Sequence, residues 1–299
     1  MTFTGCGTAL VTPFRQDGSL DDESVRTLAR RQIDAGISFL VPCGTTGESP
    51  TLTRDEQLRV VGICVEESRG RVPVLAGAGG YNTAHVIETA REFEAIGANG
   101  ILSVTPYYNR PTQEGLYQHY KAIAEAVALP IVLYNVPGRT GCNIEPATVA
   151  RLAEIENIVG IKEASGNISQ MAAVVARVPD DFIVLSGDDA VTMALMALGG
   201  RGVISVVSNE IPSEMTQLTH LCAANDFQAA REIHRRYFAL MEANFVESNP
   251  IPVKAAMALM GLLEPFWRLP LVAPKAENLA KIRAVLESVG LIRQAYAAN

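Results

Sequence analysis

Short apolar runs recur along this chain at intervals of about 25 to 35 residues. Each run is continuous and rich in Val, Ile and Leu, which is typical of a parallel strand buried on both faces of its sheet. The runs cover residues 8–14, 39–43, 73–78, 100–105, 130–136, 158–164, 182–187 and 202–208. The pattern predicts eight parallel strands.

Amphipathic helical patterns separate these strands. In the first, Val25, Leu28 and Ile33 fall on one face, and the second opens on a Thr53–Glu56 pair with the spacing of a capping box. Eight strand–helix alternations within the first 225 or so residues fit a TIM (β/α)8 barrel better than an open doubly wound sheet. We therefore expect an α/β fold with a catalytic barrel domain over residues 1–225.

The strand pattern stops at about Asp226. Residues 227–245, 252–262 and 274–289 are apolar at helical spacing. Residues 226–299 are predicted to form a C-terminal helical region packed on the barrel.

Composition narrows the class of protein. The chain has 299 residues, of which 48% are hydrophobic, and a net charge of −7. A chain of this length and hydrophobicity can bury a large core. Its negative net charge disfavours a nucleic-acid-binding surface, which needs clustered Lys and Arg. The first residues lack the pattern of a signal peptide, and no apolar run reaches 18 residues, so we expect no membrane span and a cytoplasmic protein. Five widely spaced cysteines predict reduced thiols rather than disulfides.

Lys162 lies inside the apolar run of residues 158–164. A lysine there must have its ammonium paired or be kept neutral, and a neutral amine can attack a carbonyl to form a Schiff base. A lone lysine in an apolar strand is more often an edge residue with its ammonium in solvent. A central strand of a parallel sheet has no such edge, which favours the functional interpretation.

Further polar residues follow the predicted strand ends, where TIM barrels carry their chemistry. Thr45 and Thr46 follow the second strand, Tyr108 the fourth, and Tyr134 and Arg139 the fifth. Each alone has an ordinary structural explanation: a helix cap, a core tyrosine or a loop ion pair. Their joint placement at one barrel mouth favours chemistry on a keto acid, with a phenol to move protons and a guanidinium to hold a carboxylate.

Several other sites are disfavoured. The four histidines, at positions 85, 119, 220 and 234, fall in helical stretches, so we expect no metal site. The eighth strand is not followed by a glycine-rich loop, which disfavours a phosphorylated substrate. The glycine run at 77–80 lacks the last glycine of a dinucleotide fingerprint.

These segments together resemble the dihydrodipicolinate synthase family of pyruvate-dependent Schiff-base aldolases. The matching segments span nearly the whole chain in family order: 44–48, 105–109, 134–141, 160–164 and 186–189. The resemblance implies condensation of pyruvate with L-aspartate-4-semialdehyde to 4-hydroxy-tetrahydrodipicolinate, in lysine and diaminopimelate biosynthesis. It also implies a homotetramer built as a dimer of dimers, and no metal or organic cofactor.

The resemblance assigns a role to each candidate residue. Lys162 forms the Schiff base, Tyr134 donates and accepts protons, and Thr45 and Tyr108 complete a relay in which Tyr108 comes from a neighbouring subunit. The remaining roles concern binding. Thr46 and the backbone at Ile204 hold pyruvate with Gly187 close by, and Arg139 binds the carboxylate of the semialdehyde.

Two alternatives stay open on the residues alone. A related Schiff-base lyase acting on a sugar acid would share the lysine, but such relatives generally lack an arginine at the position of Arg139. A non-catalytic barrel that only senses a keto acid would not need the lysine, phenol and threonine together.

Feedback by lysine is predicted to be weak or absent. Ser49 and Tyr107 are compatible with a lysine site of the family. Lysine-sensitive enterobacterial members, however, carry His, His, Asn and Glu where this chain has Arg54, Gln57, Tyr81 and His85. Loss of the carboxylate at position 85 removes a partner for the ammonium of the inhibitor.

Overall fold

The computed structural model describes residues 2–293. Within that range eight parallel strands form one sheet, in the order β2-β1-β8-β7-β6-β5-β4-β3. Their bounds are β1 Gly5–Ala9, β2 Phe39–Val41, β3 Leu75–Gly77, β4 Gly100–Val104, β5 Ile131–Asn135, β6 Ile158–Glu163, β7 Ile183–Ser186 and β8 Gly202–Ser205.

The two outer members of this order, β2 and β3, meet and close the sheet into a barrel. Leu40 and Val74 form a parallel bridge. The Leu40 amide donates to the Pro73 carbonyl at 3.0 Å, and the Gly77 amide donates to the Pro42 carbonyl at 2.9 Å. Closure removes every sheet edge, and the predicted TIM barrel is confirmed.

The first strand is the one whose predicted position was wrong. Residues 8–14 were expected, but β1 runs over Gly5–Ala9. A Cβ on Gly7 would lie 2.1 Å from the Phe39 ring, and one on Gly5 would lie 2.4 Å from the Ser38 hydroxyl. These glycines make room for the side chains of Ser38 and Phe39, so a glycine-rich sequence forms the strand here.

Helices alternate with the strands around the barrel. They are α1 Asp22–Asp34, α2 Arg54–Ser68, α3 Thr83–Ala95, α4 Gln113–Ala126, α5 Pro137–Thr140, α6 Pro146–Leu152, α7 Ile168–Val175, α8 Thr192–Ala197 and α9 Pro212–Ala223. The predicted capping box at the start of α2 is present, since Thr53 accepts from the Glu56 amide and Glu56 accepts from the Thr53 amide. Short 3-10 turns at Ser49–Thr51, Asp189–Val191 and Val207–Asn209 follow β2, β7 and β8.

The C-terminal region contains α10 Phe227–Ala243, α11 Ile251–Leu259 and α12 Ala276–Ser288, close to the predicted helices. The proposed division between residues 225 and 226 stays a prediction, and residues 294–299 of that region lie outside the described part of the chain. Arg268, between α11 and α12, binds Glu56 at 2.6 Å and the Gly18 carbonyl at 2.8 Å. The hydrogen bond from Arg268 lowers the pKa of Glu56 to about 2. The C-terminal region is thus fastened to loops of the barrel.

Two apolar clusters form the core. One fills the barrel interior and includes Phe39, Leu75, Val132, Leu185 and Ile204. The other, larger cluster lies between the strands and the surrounding helices. Both faces of the sheet are therefore buried, as the continuous apolar runs indicated.

Candidate active site

Lys162 and Tyr134 lie side by side on adjacent strands. They are paired in the register of β5 and β6, so both side chains leave the sheet on the same face. Both are buried, with 5% and 6% of their surface exposed. The Lys162 Nζ lies 4.3 Å from the centroid of the Tyr134 ring, within the range at which the ring face attracts an ammonium. The two strands bring an amine and a phenol together.

Gly187 gives Lys162 its space. The residue follows β7, beside Lys162, and a Cβ placed there would lie 3.1 Å from the Lys162 Cε and 2.5 Å from the Ala164 Cβ. Any larger residue would push against the lysine side chain. The role of this glycine is therefore steric.

The lysine opens into a cavity of about 120 Å³ at the barrel mouth. Six of the eight candidate residues from the sequence line this cavity: Thr45, Thr46, Tyr134, Arg139, Lys162 and Gly187. The rest of its lining comes from residues 136, 164, 188, 206, 245 and 249. A second cavity of about 270 Å³ shares Thr45, Tyr134, Val136 and Arg139 with the first and extends to Tyr107. The hydroxyl, phenol and guanidinium groups thus lie between two spaces that can each take a small molecule.

Arg139 and Thr46 are connected through one residue of the C-terminal region. Asn249 donates from Nδ2 to the Thr46 Oγ1 at 2.9 Å, and its main-chain oxygen accepts from the Arg139 Nη2 at 3.3 Å. Arg139 lies on the one-turn helix α5, Pro137–Thr140, which is followed by Gly141 with a φ of +66°. This short helix lets the arginine turn back over the cavity.

The loop after β2, which carries both threonines, is fixed by a buried ion pair. Glu48 adopts the left-handed conformation with φ of +52° and binds the Lys254 Nζ at 2.5 Å. Both side chains are fully buried, and the Lys254 ammonium also lies 4.4 Å from the Phe14 ring. Burial lowers the pKa of Lys254, partly offset by the Glu48 carboxylate. Helix α11 therefore anchors this loop.

Glu163, next to Lys162, serves the structure of the barrel mouth. It is fully buried and accepts from Asn135 at 2.9 Å, from the Ser165 amide at 2.7 Å and from Gln170 at 3.2 Å. Both oxygens have donors within the barrel wall. This arrangement is that of a satisfied structural carboxylate.

Asp189 joins the loops that follow β7 and β8. Its Oδ2 accepts from the amides of Val206 at 3.0 Å and Val207 at 2.9 Å. Burial raises the pKa of Asp189 to about 6, although hydrogen bonds oppose the rise. Asp188 lines the cavity and also caps the following turn by accepting from the Ala190 amide.

Two candidate residues do not reach the cavity within this chain. Tyr108 is 91% exposed, with a φ of +68°. Ile204 is buried on β8 in the barrel interior, paired with Gly7. The roles expected for these two residues stay predictions.

Across residues 2–293, no group of three or more His, Cys, Asp or Glu side chains is placed to hold a metal ion. His85, His119, His220 and His234 lie on α3, α4, α9 and α10. All five cysteines are buried free thiols. Among the described helices, none is long and apolar enough to cross a membrane.

Sequence reasoning missed Asn249 and Lys254. Lys254 carries the same signal as Lys162, a lysine inside an apolar run, here on a helix. Asn249 has no comparable signal, because it contacts a residue 203 positions away. Only the folded chain shows that the C-terminal region completes the cavity.

Comparisons with known proteins agree with this geometry. A family model described as the dihydrodipicolinate synthetase family matches residues 2–289. A curated relative from Koribacter versatilis, named 4-hydroxy-tetrahydrodipicolinate synthase, is 54% identical and covers 100% of both chains. One of that name from Chloroherpeton thalassium is 51% identical over 97% of this chain and 96% of its own. The crystal structure of dihydrodipicolinate synthase from Thermotoga maritima superposes with a TM-score of 0.96 at 48% identity, covering 98% of this chain and 100% of that one. The chain belongs to the dihydrodipicolinate synthetase family.

Proposed function

We propose that this chain condenses pyruvate with L-aspartate-4-semialdehyde to give 4-hydroxy-tetrahydrodipicolinate. The observation that carries the proposal is the register pair on β5 and β6, which places the Lys162 amine against the Tyr134 ring in a cavity that Arg139 also lines. The shared name of the full-length relatives favours this activity over a sugar-acid lyase.

The first half of the reaction activates pyruvate. The Lys162 amine adds to the ketone carbon, and loss of one water leaves an imine. The imine draws electrons from the methyl group, whose proton leaves to give an enamine, a carbon nucleophile. Each stage moves a proton, and Tyr134 is the buried phenol beside the reacting nitrogen.

The second half closes the ring. The enamine carbon attacks the aldehyde of the second substrate, and the aldehyde oxygen becomes the hydroxyl of the product. The amine of that substrate then adds to the imine carbon and displaces Lys162, which regains its free amine. One water is released for each pyruvate and semialdehyde joined.

The other candidate residues complete the site. Thr45 and Tyr108 form a proton relay with Tyr134, and the exposed Tyr108 is available to a neighbouring subunit of a homotetramer. Thr46 and the backbone of Ile204 hold the pyruvate carboxylate, and Gly187 keeps the space beside Lys162 open.

The lysine imine serves as the electron sink, so the proposal includes no metal or organic cofactor. The product fits lysine and diaminopimelate biosynthesis, and we place the protein in the cytoplasm. These assignments rest on the family and on the chemistry of the site.

Arg139 determines the second substrate in this proposal. Its guanidinium lines both cavities and can bind a carboxylate with two parallel hydrogen bonds. A sugar acid would present its carboxylate through the pyruvate portion and would not need this group.

Turnover of Arg139→Ala tests the proposal. The KM for aspartate-semialdehyde should rise roughly 10- to 100-fold, since a charged hydrogen bond is lost, while trapping of pyruvate by borohydride persists. Arg151→Ala is the matched control, because Arg151 forms a half-exposed surface ion pair with Glu114. Absence of any turnover by the unaltered protein with these two substrates would contradict the proposal.

A further inference from the structure

Asn249 connects the two substrate-binding groups of the cavity. It belongs to the segment between α10 and α11, is 6% exposed, and lines the same cavity as Lys162. We propose that Asn249 is a positioning residue that sets the direction of the Thr46 hydroxyl and restrains the Arg139 guanidinium. The inference rests on the proposed function, because it concerns how the carboxylates of those two substrates are held.

The contact with Thr46 decides where the hydroxyl hydrogen points. Asn249 donates from Nδ2 to the Thr46 Oγ1 at 2.9 Å. Thr46 is 2% exposed, and among residues 2–293 no group accepts its hydroxyl hydrogen. Because one lone pair is taken by the amide, the hydrogen is left to donate to an acceptor in the cavity. A keto-acid carboxylate is such an acceptor.

The contact with Arg139 uses a different atom of the same residue. The Asn249 carbonyl accepts one guanidinium N–H at 3.3 Å. A guanidinium has five N–H donors, so the others stay available for a substrate carboxylate. The main-chain oxygen of Asn249 thus keeps the arginine over the cavity and leaves the other guanidinium N–H groups free to bind a carboxylate.

The orientation of the Asn249 amide matters for this role. Its Oδ1 is buried and has no hydrogen-bond partner, while its Nδ2 is the end that meets Thr46. An acceptor at that position would take the Thr46 hydrogen for itself and leave only oxygen lone pairs facing an anionic substrate. The amide nitrogen is therefore the group that the site requires there.

Asn249→Asp separates donation from simple packing. A carboxylate has nearly the shape of the amide but can only accept, and it adds a negative charge beside the bound anion. We expect the pyruvate concentration for half-maximal borohydride trapping at Lys162 to rise roughly tenfold in Asn249→Ala and roughly a hundredfold in Asn249→Asp. Both substitutions keep the main-chain oxygen that accepts from Arg139, so the KM for aspartate-semialdehyde should rise less than about twofold, and kcat should fall less than the KM for pyruvate rises.

A double-mutant cycle with Thr46→Val tests the coupling. If Asn249 acts through the hydroxyl, Asn249→Ala should change pyruvate binding less than about twofold once that hydroxyl is absent. Asn278→Ala is the matched control: Asn278 is 8% exposed and donates to Glu247, two residues from Asn249, without touching the cavity. The control should lower thermal stability without changing pyruvate binding.

The outcomes are distinct. Near-normal pyruvate binding in Asn249→Asp, multiplicative effects of the Thr46 and Asn249 substitutions, or equal losses in Asn278→Ala would each overturn the inference. If Asn249→Asp does not fold, the cycle built on Asn249→Ala still decides. Turnover by the unaltered protein is measured first, so failure of the proposed function is seen separately.

Discussion

Glu210 is a buried carboxyl group whose protonation should control stability near neutral pH. It follows the turn after β8, is 1% exposed, and accepts from the Asn244 amide at 2.6 Å, while its other oxygen has no partner. Burial raises the pKa of Glu210 to about 8; the Asp189 carboxyl adds to the rise, and the Asn244 hydrogen bond and the Arg31 guanidinium oppose it. The folded protein therefore holds a neutral carboxyl group there at pH 7.

The sign of the pH effect follows from linkage. In the unfolded chain Glu210 has its ordinary pKa of 4.5, so between pH 4.5 and about 8 the folded state binds more protons. The stability from this group is fully present below pH 4.5 and is lost as pH rises through about 8. At about 1.4 kcal/mol for each pH unit, the loss has an upper limit of about 5 kcal/mol.

Glu210→Gln removes this dependence and keeps an acceptor for Asn244. The variant and the unaltered protein should have similar free energies of unfolding at pH 4.5, and the variant should become the more stable of the two as pH rises to 8. Urea unfolding at fixed protein concentration, repeated from pH 4.5 to pH 9, measures the difference.

Glu242→Gln is the control, since Glu242 is exposed on α10. As an exposed surface substitution it should change the free energy of unfolding by less than about 0.5 kcal/mol. A flat difference for Glu210→Gln would refute the reasoning, because it would mean that the carboxyl group ionises in the folded protein as it does in the unfolded chain.

Three further predictions concern the site and its surroundings. Lys254→Met should destabilise the fold by about 3–5 kcal/mol, because it leaves the Glu48 carboxylate buried without its partner, and combining it with Glu48→Gln should restore most of the loss in urea unfolding. Gly187→Ala should slow borohydride trapping by displacing Lys162 and should lower Tm through the clash with Ala164, and an unchanged trapping rate would contradict the steric role of the glycine. Lysine should inhibit weakly or not at all, since the cavity of about 250 Å³ that His85 lines has a histidine at position 85 in place of a carboxylate. Strong inhibition at submillimolar lysine in a steady-state assay would contradict this prediction.

The barrel was predictable from sequence because its strands are short apolar runs buried on both faces. The exception, β1, shows what such reasoning cannot see. Gly5 and Gly7 lie in the strand because the side chains of Ser38 and Phe39, in the neighbouring segment, occupy the space that a Cβ would need. A sequence pattern does not record which neighbour fills that space. The short helix α5 was hidden for a related reason, since four residues are too few to show a helical period.

The site was predictable as far as strand ends determine it. Lys162 and Tyr134 stand next to each other because parallel strands in register align residues at the same height. Asn249 could not be found in this way, since its contact with Thr46 depends on how the C-terminal region packs on the barrel. Long-range packing of that kind leaves no local period in the sequence.

Borohydride reduction in the presence of pyruvate, followed by mass spectrometry of the digested protein, tests the central claim most directly. The buried amine beside Tyr134 predicts a reduced pyruvate adduct on the peptide that contains Lys162 and on no other lysine, with loss of the adduct in Lys162→Ala. An adduct on another lysine such as Lys254, or the absence of any adduct while the protein turns over its substrates, would contradict the account.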